Sequence, residues 1–510
     1  MKMKLSTCLD ILAQHRLLKS AALFDEEALC NAVTYDSKAA QAGTLFFCKG
    51  VMFKEAYLAE AVARGAVCYI SEVEYPAVKA AHIIVSDVRL AMALIGAEFY
   101  GHSDRRTDLI GITGTKGKST SAYYIKYILD EYAERNAKKP CGVVSSIDTY
   151  DGKIFEESHL TTPEALMLHQ HFYNAAESGL DHFVMEVSSQ ALKYDRVLGV
   201  QYKAGVFLNI SEDHISPAEH SDFNDYFTSK LKLFAQSEVA YINTGSDCFE
   251  QVAEAAKASR RIVTFGLDEK ADVYGYNVRK EDGEIRFNVR CKAFDAPFAL
   301  TMLGLFNVEN ALAAIAVCLD RNIPLDVMQE GLRKARSKGR METYFSENGK
   351  KIAVVDYAHN KLSYTKLFAA MREEYPDWRI YSVFGAAGGK APARRKILTE
   401  IAAQFSDKLF LSMDDPGREH VEDICAQMAE HVNGCDYEIV IDRGIAVQRA
   451  ILEAPENTII LLIGKGNEGS QKIGGKIVDT KTDAYFAQRA LAKGFDASQI
   501  EPQFEEMPVY

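Results

Sequence analysis

Gly111-Ile112-Thr113-Gly114-Thr115-Lys116-Gly117-Lys118-Ser119-Thr120 opens inside the apolar run Asp108–Ile112 and leads into a segment with helical patterning from about Ser119. A strand that feeds a glycine-rich turn at a helix N-terminus lets backbone N–H groups converge on phosphate oxygens. In such a loop Lys118 reaches the β- and γ-phosphates, and the Ser119 hydroxyl ligates Mg²⁺. The usual spacing, GxxxxGK[ST], places its first glycine at position 112; that residue is Ile here, and Gly111 stands one position early. A glycine turn with no ligand is the plain alternative. The order strand, loop, helix, with a Lys-Ser pair at the helix start, favours a nucleoside triphosphate carried with magnesium.

Outward from this loop, strand-like and helix-like patterns alternate along nearly the whole chain, which predicts an α/β fold with parallel sheets. Buried strands are expected at Phe183–Val187, Ala204–Leu208 and Val239–Ile242, a hairpin over Tyr274–Val289 around Asp282-Gly283, and a helix over Val308–Leu319. N-terminal to the loop, a helical pattern (Tyr57–Ala63) and a strand (Ala66–Ile70) mark a small α/β domain. C-terminal to it, a second hairpin signal, Asn348-Gly349, precedes strands at Ile352–Asp356, Ile380–Phe384, Lys408–Leu411, Ile439–Ile441 and Thr458–Ile463. The chain has 510 residues, and at roughly 100–200 residues per domain this suggests about three domains.

Composition narrows the classes. Charged residues make up 25% and hydrophobic residues 48%, ordinary for a globular enzyme with a sizeable core. The net charge of −12 argues against wholesale nucleic-acid binding. Ten scattered cysteines without a CxxC pair read as reduced and mostly buried, as in a cytoplasmic protein. The N-terminal apolar run is broken by Asp10, Gln14, His15 and Arg16, a poor signal peptide, and the apolar stretch at Thr458–Gly464 is far too short to span a bilayer.

The variant TGTKGKST resembles the ATP loop of the Mur ligase family, TGTxGK[ST], and the resemblance continues over roughly residues 33 to 470. It is nearest to the branch that adds the third amino acid to a UDP-linked muramoyl dipeptide. It implies three domains: residues 1–100 for the UDP substrate, 101–338 for ATP, and a Rossmann-like 339–510 for the amino acid. ATP-binding residues would be Gly114, Thr115, Lys116, Gly117, Lys118, Ser119, Thr120, Asn307, Arg340 and Asp356, the last three from segments resembling G-x-[FH]-N-x-x-N-x-L-A, PGRME (with Lys338 in place of Pro) and VDYAHTP.

Downstream elements are read on their own chemistry first. Thr161-Thr162 can cap a helix or hold a phosphate or peptide group. Glu186 closes a predicted parallel strand, where open α/β sheets bind ligands, and is either a magnesium ligand or a solvated strand-end acid. His214 follows Glu212-Asp213 at another strand end; Lys230 sits on a helix with Lys232 two residues on. The resemblance then places Thr161, Thr162, Ser188 and Arg196 on the substrate, together with Ser37 from Asp36-Ser37-Lys38. It places Lys118, Glu186, His214 and Lys230 at the catalytic centre, with Ser119, Glu186, His214 and Lys230 as metal positions. Lys230 matches a carbamoylated lysine, sensible because an ammonium cannot bind Mg²⁺ whereas a carbamate offers oxygens.

For the incoming amino acid the implied residues are Asp414, Asp415, Gly464 and Glu468. Members that add meso-diaminopimelate carry Asp-Asn-Pro-Arg; this chain has Asp414-Asp415-Pro416-Gly417. Without that Arg, and with an acid at 415, a distal carboxylate is repelled and a distal ammonium attracted. Gly388-Gly389-Lys390 and Arg394-Arg395 also resemble lysine-adding members. L-lysine is therefore expected first, ornithine next; Arg418, one residue late, is the feature that would favour meso-diaminopimelate. The expected protein is a monomeric ligase with no nucleic-acid partner. The alternatives are a folylpolyglutamate-type ligase and a nucleotide-dependent regulatory protein that no longer ligates.

Overall fold

The computed structural model describes residues 1–50, 53–158, 160–212, 215, 219–281, 283–389 and 393–505. It divides into two compact units. The first holds Met1–Tyr276, Val289–Ala296 and Glu309–Leu332; the second holds Asn277–Asn288, Pro297–Val308 and Arg333–Tyr510.

In the first unit, Asp108–Thr113 lies between His182–Glu186 and Tyr202–Phe207, parallel to both. Ile110, Ile112, Val184, Met185, Val206 and Phe207 are all buried. Such near-continuous apolar strands suit a parallel sheet covered on both faces. Beyond Tyr202–Phe207 come Ser237–Asn243 and Arg261–Gly266, also parallel; beyond His182–Glu186 come the parallel Gly142–Val144 and the antiparallel Asp148–Tyr150 and Phe155–Glu157. The ends of the parallel strands at Thr113, Glu186 and Phe207 therefore face one edge. The helix that follows the phosphate loop runs Lys118–Arg135 and buries Ala122, Ile125 and Leu129, one stripe at helical spacing.

The N-terminal residues of this unit build their own five-stranded sheet among the described residues, in the order Leu18–Ala22, Ala81–Val85, Ala66–Ser71, Thr44–Phe47, Ala32–Thr34. Its core includes Leu5, Cys8, Phe47, Cys68 and Ile83 and extends onto Ala165 and Leu166 of the helix Ala165–Glu177. That shared packing makes these residues one unit with the central sheet.

The second unit is a six-stranded sheet among the described residues: Glu342–Phe345, Lys351–Asp356, Thr458–Ile463, Arg379–Phe384, Lys408–Leu411, Asp436–Ile439. All neighbours are parallel except the first pair, which the turn at Asn348-Gly349 joins as a hairpin. Thr458–Ile463 is buried at every position. Separate apolar layers cover the two faces. One includes Leu367, Phe368, Leu398 and Ile424; the other includes Ala446, Val447, Ile451, Phe486 and Ala487.

Two sequence readings shift. The strand expected at Ile439–Ile441 runs Asp436–Ile439. It is an edge strand paired with Lys408–Leu411 alone, so its apolar Val440-Ile441 pair falls in the loop beyond, where Val440 N–H still reaches Leu411 O. The hairpin expected over Tyr274–Val289 forms from Val273–Glu281 and Glu284–Cys291; its turn residue Asp282 lies outside the described residues.

Candidate active site

The phosphate loop owes its path to Gly114 (φ +154°) and Gly117 (φ +86°). A Cβ on Gly117 would stand 2.2 Å from Asn310 Oδ1, and one on Gly114 would stand 3.0 Å from Leu208 Cβ. Asn209, just past the neighbouring strand, pins the loop: it accepts from Thr115 N (3.0 Å to its O) and Lys116 N (2.9 Å to its Oδ1), and donates to Lys116 O (3.1 Å). Lys118 Nζ folds back over the loop, donating to Gly114 O at 2.9 Å and Thr115 O at 3.3 Å. Ser119 Oγ lies 3.0 Å from Ser146 Oγ, and Ser146 N donates to Glu186 Oε1 at 2.8 Å. Ser146 thus joins the helix-start hydroxyl to the strand-end carboxylate. Glu186 is buried, which removes the reading of a solvated strand-end acid.

Of the two helix lysines, Lys230 faces the loop. It is 1% exposed and its Nζ donates to Gly114 O at 2.9 Å; Lys232 Nζ reaches Leu192 O at 3.3 Å instead. The Tyr226 ring lies 4.6 Å from Lys230 Nζ, and its hydroxyl donates to Thr115 Oγ1 at 3.1 Å. His214, the remaining expected metal position, lies outside the described residues.

Thr162 does not cap the following helix; Glu164 holds that N-cap position without a side-chain bond. The Thr162 hydroxyl donates to Glu186 O (2.9 Å) and accepts from Ser188 N (3.0 Å), stitching this loop to the turn after the Glu186 strand. Ser188 caps its own short helix through Ala191 N. Thr161 beside it is half-buried. Arg196 Nη1 donates to Thr162 O at 3.2 Å, and its Nη2 pairs with Glu164 Oε1 at 3.1 Å. Lys49, from the N-terminal sheet, meets the same Glu164 oxygen at 2.8 Å and lies 5.0 Å from the Tyr35 ring. Two half-buried cations therefore share one carboxylate; burial lowers the Lys49 pKa and Glu164 opposes the shift. The Ser37 hydroxyl donates to Glu60 at 2.7 Å.

In the second unit, Asp356 accepts from Met341 N and Ala358 N, both at 2.8 Å, and so shapes the Gly339–Met341 turn beside its strand. Arg340 stacks over the Tyr357 ring at 4.6 Å. Asn307 Nδ2 donates to Leu303 O at 2.6 Å. Gly464 (φ +110°) is crowded by an acid: a Cβ there would lie 2.6 Å from Asp414 Oδ2. Lys465, almost fully buried, pairs with Asp415 Oδ1 at 2.9 Å and with Glu468 Oε2 at 2.6 Å. Burial alone would lower the Lys465 pKa, but Asp414, Glu468 and Asp415 outweigh it and raise it. Asp414 is pushed up by burial, with Lys465 and Arg443 opposing.

This corrects the reading of Asp415 as an acid open to a distal ammonium. One of its oxygens is committed to Lys465 and to Lys472 N. The excess negative charge belongs to the cluster, three carboxylates around one lysine. Gly417 N donates to Lys472 O, Arg418 lies beside Gly475, and Arg395 is turned inward to Glu419 and Gln427. Arg394 is exposed, and Lys390 lies outside the described residues.

Two family models match the chain: the Mur ligase middle domain over residues 112–318, and the Mur ligase glutamate ligase domain over residues 339–466. A UDP-N-acetylmuramyl-tripeptide synthetase from Lactobacillus delbrueckii subsp. bulgaricus is 39% identical, covering 94% of this chain and 96% of its own. A UDP-N-acetylmuramoyl-L-alanyl-D-glutamate–L-lysine ligase from Enterococcus faecalis is 38% identical, covering 91% of each. The chain belongs to the Mur ligase family. A solved UDP-N-acetylmuramoyl-L-alanyl-D-glutamate–2,6-diaminopimelate ligase superposes with a TM-score of 0.65 at 23% identity, over 96% of this chain and 99% of that one, and bears out the α/β fold.

As a Mur ligase the chain is an ATP-dependent, amide-bond-forming enzyme. Among the described residues no three His, Cys, Asp or Glu side chains converge as a cage for a metal. The Ser119 hydroxyl and the Glu186 carboxylate, bridged by Ser146, are oxygen donors that could hold Mg²⁺, an ion that usually keeps several waters and binds through few carboxylates and substrate phosphates. No helix among the described residues is long and apolar enough to cross a membrane. Ser146, Asn209, Tyr226 and Lys49 went unread in the sequence. They are single polar residues whose partners are remote along the chain: Ser119 stands 27 positions from Ser146, and Thr115 stands 111 from Tyr226. Asn209, Tyr226 and Lys49 stood inside segments that drew attention for other residues; Ser146 did not.

Proposed function

We propose that this enzyme adds a diamino acid, L-lysine first, to the terminal D-glutamate of UDP-N-acetylmuramoyl-L-alanyl-D-glutamate in peptidoglycan precursor synthesis. The observation that carries the reading is the acidic cluster at Asp414, Asp415 and Glu468 around Lys465, with glycine at 417. It offers net negative charge to a distal ammonium and no guanidinium at that position to a distal carboxylate. The E. faecalis relative, named for L-lysine ligation, supports it.

The chemistry divides over three proposed domains: 1–100 for the UDP end, 101–338 for ATP, 339–510 for the amino acid. The γ-phosphoryl group of ATP passes to a carboxylate of the D-glutamate, giving an acyl phosphate and ADP. The amine of the amino acid attacks the acyl carbon through a tetrahedral intermediate, and inorganic phosphate leaves. An anion attacks an anion in the first step, so positive charge at the transferring group is the main requirement. Lys118 supplies it once the phosphates replace the loop carbonyls as its partners. Mg²⁺, held by Ser119, Glu186, His214 and a carbamate on Lys230, would neutralise further phosphate charge. Thr162 and Ser188 hold the peptide end of the substrate, and Arg196 and Ser37 the UDP-sugar end. By the family resemblance Arg340, Asp356 and Asn307 are further nucleotide contacts, and Glu468 holds the incoming amino acid's ammonium. ATP thereby serves as co-substrate in a cytoplasmic reaction without nucleic-acid partners.

Phosphate release tests this with the UDP-muramoyl dipeptide and L-lysine, L-ornithine or meso-diaminopimelate in turn. Dipeptide-dependent release that is fastest with L-lysine is expected. Preference for meso-diaminopimelate overturns the lysine assignment and implicates Arg418, and release indifferent to the dipeptide overturns ligation of this acceptor.

A further inference from the structure

Arg443 is among the largest fully buried side chains in the molecule, and nothing in the ligation scheme uses it. It opens the helix Arg443–Glu453, the end at which the helix dipole disfavours a cation. Its Nε and Nη2 form a forked pair with Asp483 at 2.8 and 2.6 Å. A buried ion pair of this kind commonly contributes no more stability than packed apolar residues, so stability does not account for it.

Its other two hydrogen bonds are more telling. Nη1 donates to Met413 O at 3.2 Å and Nη2 to Ile463 O at 3.0 Å. Met413 directly precedes Asp414, and Ile463 directly precedes Gly464. The strands Lys408–Leu411 and Thr458–Ile463 are not neighbours, because Arg379–Phe384 runs between them. No ladder hydrogen bond can set the spacing of their ends. A planar guanidinium with five donors in a fixed fork can span that gap, and an ammonium cannot. Its charge also acts on the half-buried Asp414 carboxylate, which closes against Gly464.

We propose that Arg443 is a positioning residue for the amino-acid subsite, tying together the two strand ends that carry Asp414 and Gly464, with Asp483 as its counter-ion. The proposal rests on the reading of Asp414 and Gly464 as amino-acid-binding, and it holds whichever diamino acid is the substrate.

The test replaces the pair together, Arg443→Leu with Asp483→Leu, so that neither charge is left alone. Steady-state kinetics are measured with whichever of L-lysine, L-ornithine and meso-diaminopimelate the wild type prefers, beside a thermal denaturation curve. The expected result is an amino-acid KM raised by about tenfold or more, equivalent to about 1.4 kcal/mol of binding, with the KM values for ATP and the UDP-muramoyl dipeptide within about twofold of wild type. An unchanged amino-acid KM, or an equal loss for all three substrates with a lowered melting temperature, overturns it in favour of a merely structural pair. Should the leucine pair fail to fold, Arg443→Gln with Asp483→Asn takes its place under the same criteria. The preference of the wild type among the three amino acids separately decides the substrate reading.

Discussion

At the phosphate loop the proposed binding groups are backbone N–H groups and lysines; at the acidic cluster of the second unit they are side chains that already neutralise one another in part. Both lie just past the ends of parallel strands. Gly114 and Gly117 are required by close approach, and the loop has few alternative shapes. The acidic cluster sets Asp415 and Glu468 on Lys465, so its field on a ligand is the excess left after one lysine offsets part of three acids. Binding by backbone is robust to substitution at neighbouring positions and generic in what it binds. Binding by partly cancelled charges is selective and easily altered.

The largest effect comes from Lys118, the loop cation at the helix start. Lys118→Ala should reduce kcat/KM for ligation by about 10³-fold, since the transferring phosphoryl group loses its positioned positive charge. Steady-state phosphate release measures it. A loss below about tenfold would show that the backbone alone does the work.

Next comes Lys230. Lys230→Ala should lower turnover by about 10²-fold or more, and a short carboxylate added to the assay should restore part of it by supplying the oxygens a carbamate would. Equal turnover with and without the carboxylate, across a range of concentrations, removes the carbamate from the account. Arg196→Ala should then raise the KM for the UDP-muramoyl dipeptide by roughly ten- to a hundredfold, as loss of a charge-assisted hydrogen bond does. Glu164 would retain Lys49 as its partner, so the fold should survive. A change confined to the ATP KM would place Arg196 elsewhere.

The same contrast explains what was legible in the sequence. The parallel strands were readable because their cores are continuous apolar runs, and the loop because its glycines and Lys-Ser pair are contiguous. Lys230 was separated from Lys232 only in three dimensions, where one meets Gly114 O and the other Leu192 O. The antiparallel additions at Asp148–Tyr150 and Phe155–Glu157 are short and partly exposed, and gave no periodic signal. Asp415 was readable as an acid but not as a paired one, because Lys465 is 50 positions away. Arg443 carried no signal at all: an arginine at a helix start looks solvated until Asp483 and two carbonyls close around it.

The smallest effect is the one that distinguishes the two sites by pH. Burial raises the Asp414 carboxyl above its ordinary range, and the charges of Lys465 and Arg443 limit the rise. A carboxyl so raised takes up its proton earlier as the pH falls than a solvated aspartate does. The site then loses one negative charge while the Lys465 cation stays, because the pKa of Lys465 is held up by its acidic neighbours. A cationic amino acid binds the ionised form better, so its affinity is full above the Asp414 pKa and lost as the pH drops through it. The amino-acid KM should therefore rise severalfold on the acid side of neutrality. The ATP KM, for which the proposed loop contacts are backbone N–H groups and lysines, should change little over the same interval once the titration of ATP itself is allowed for. Asp414→Asn supplies the control: it should raise the amino-acid KM at every pH and flatten its acid limb. A limb that keeps its slope in Asp414→Asn assigns the titration to another carboxylate of the cluster, and an ATP KM that climbs in parallel would show that the two sites do not differ in the way their charges are held.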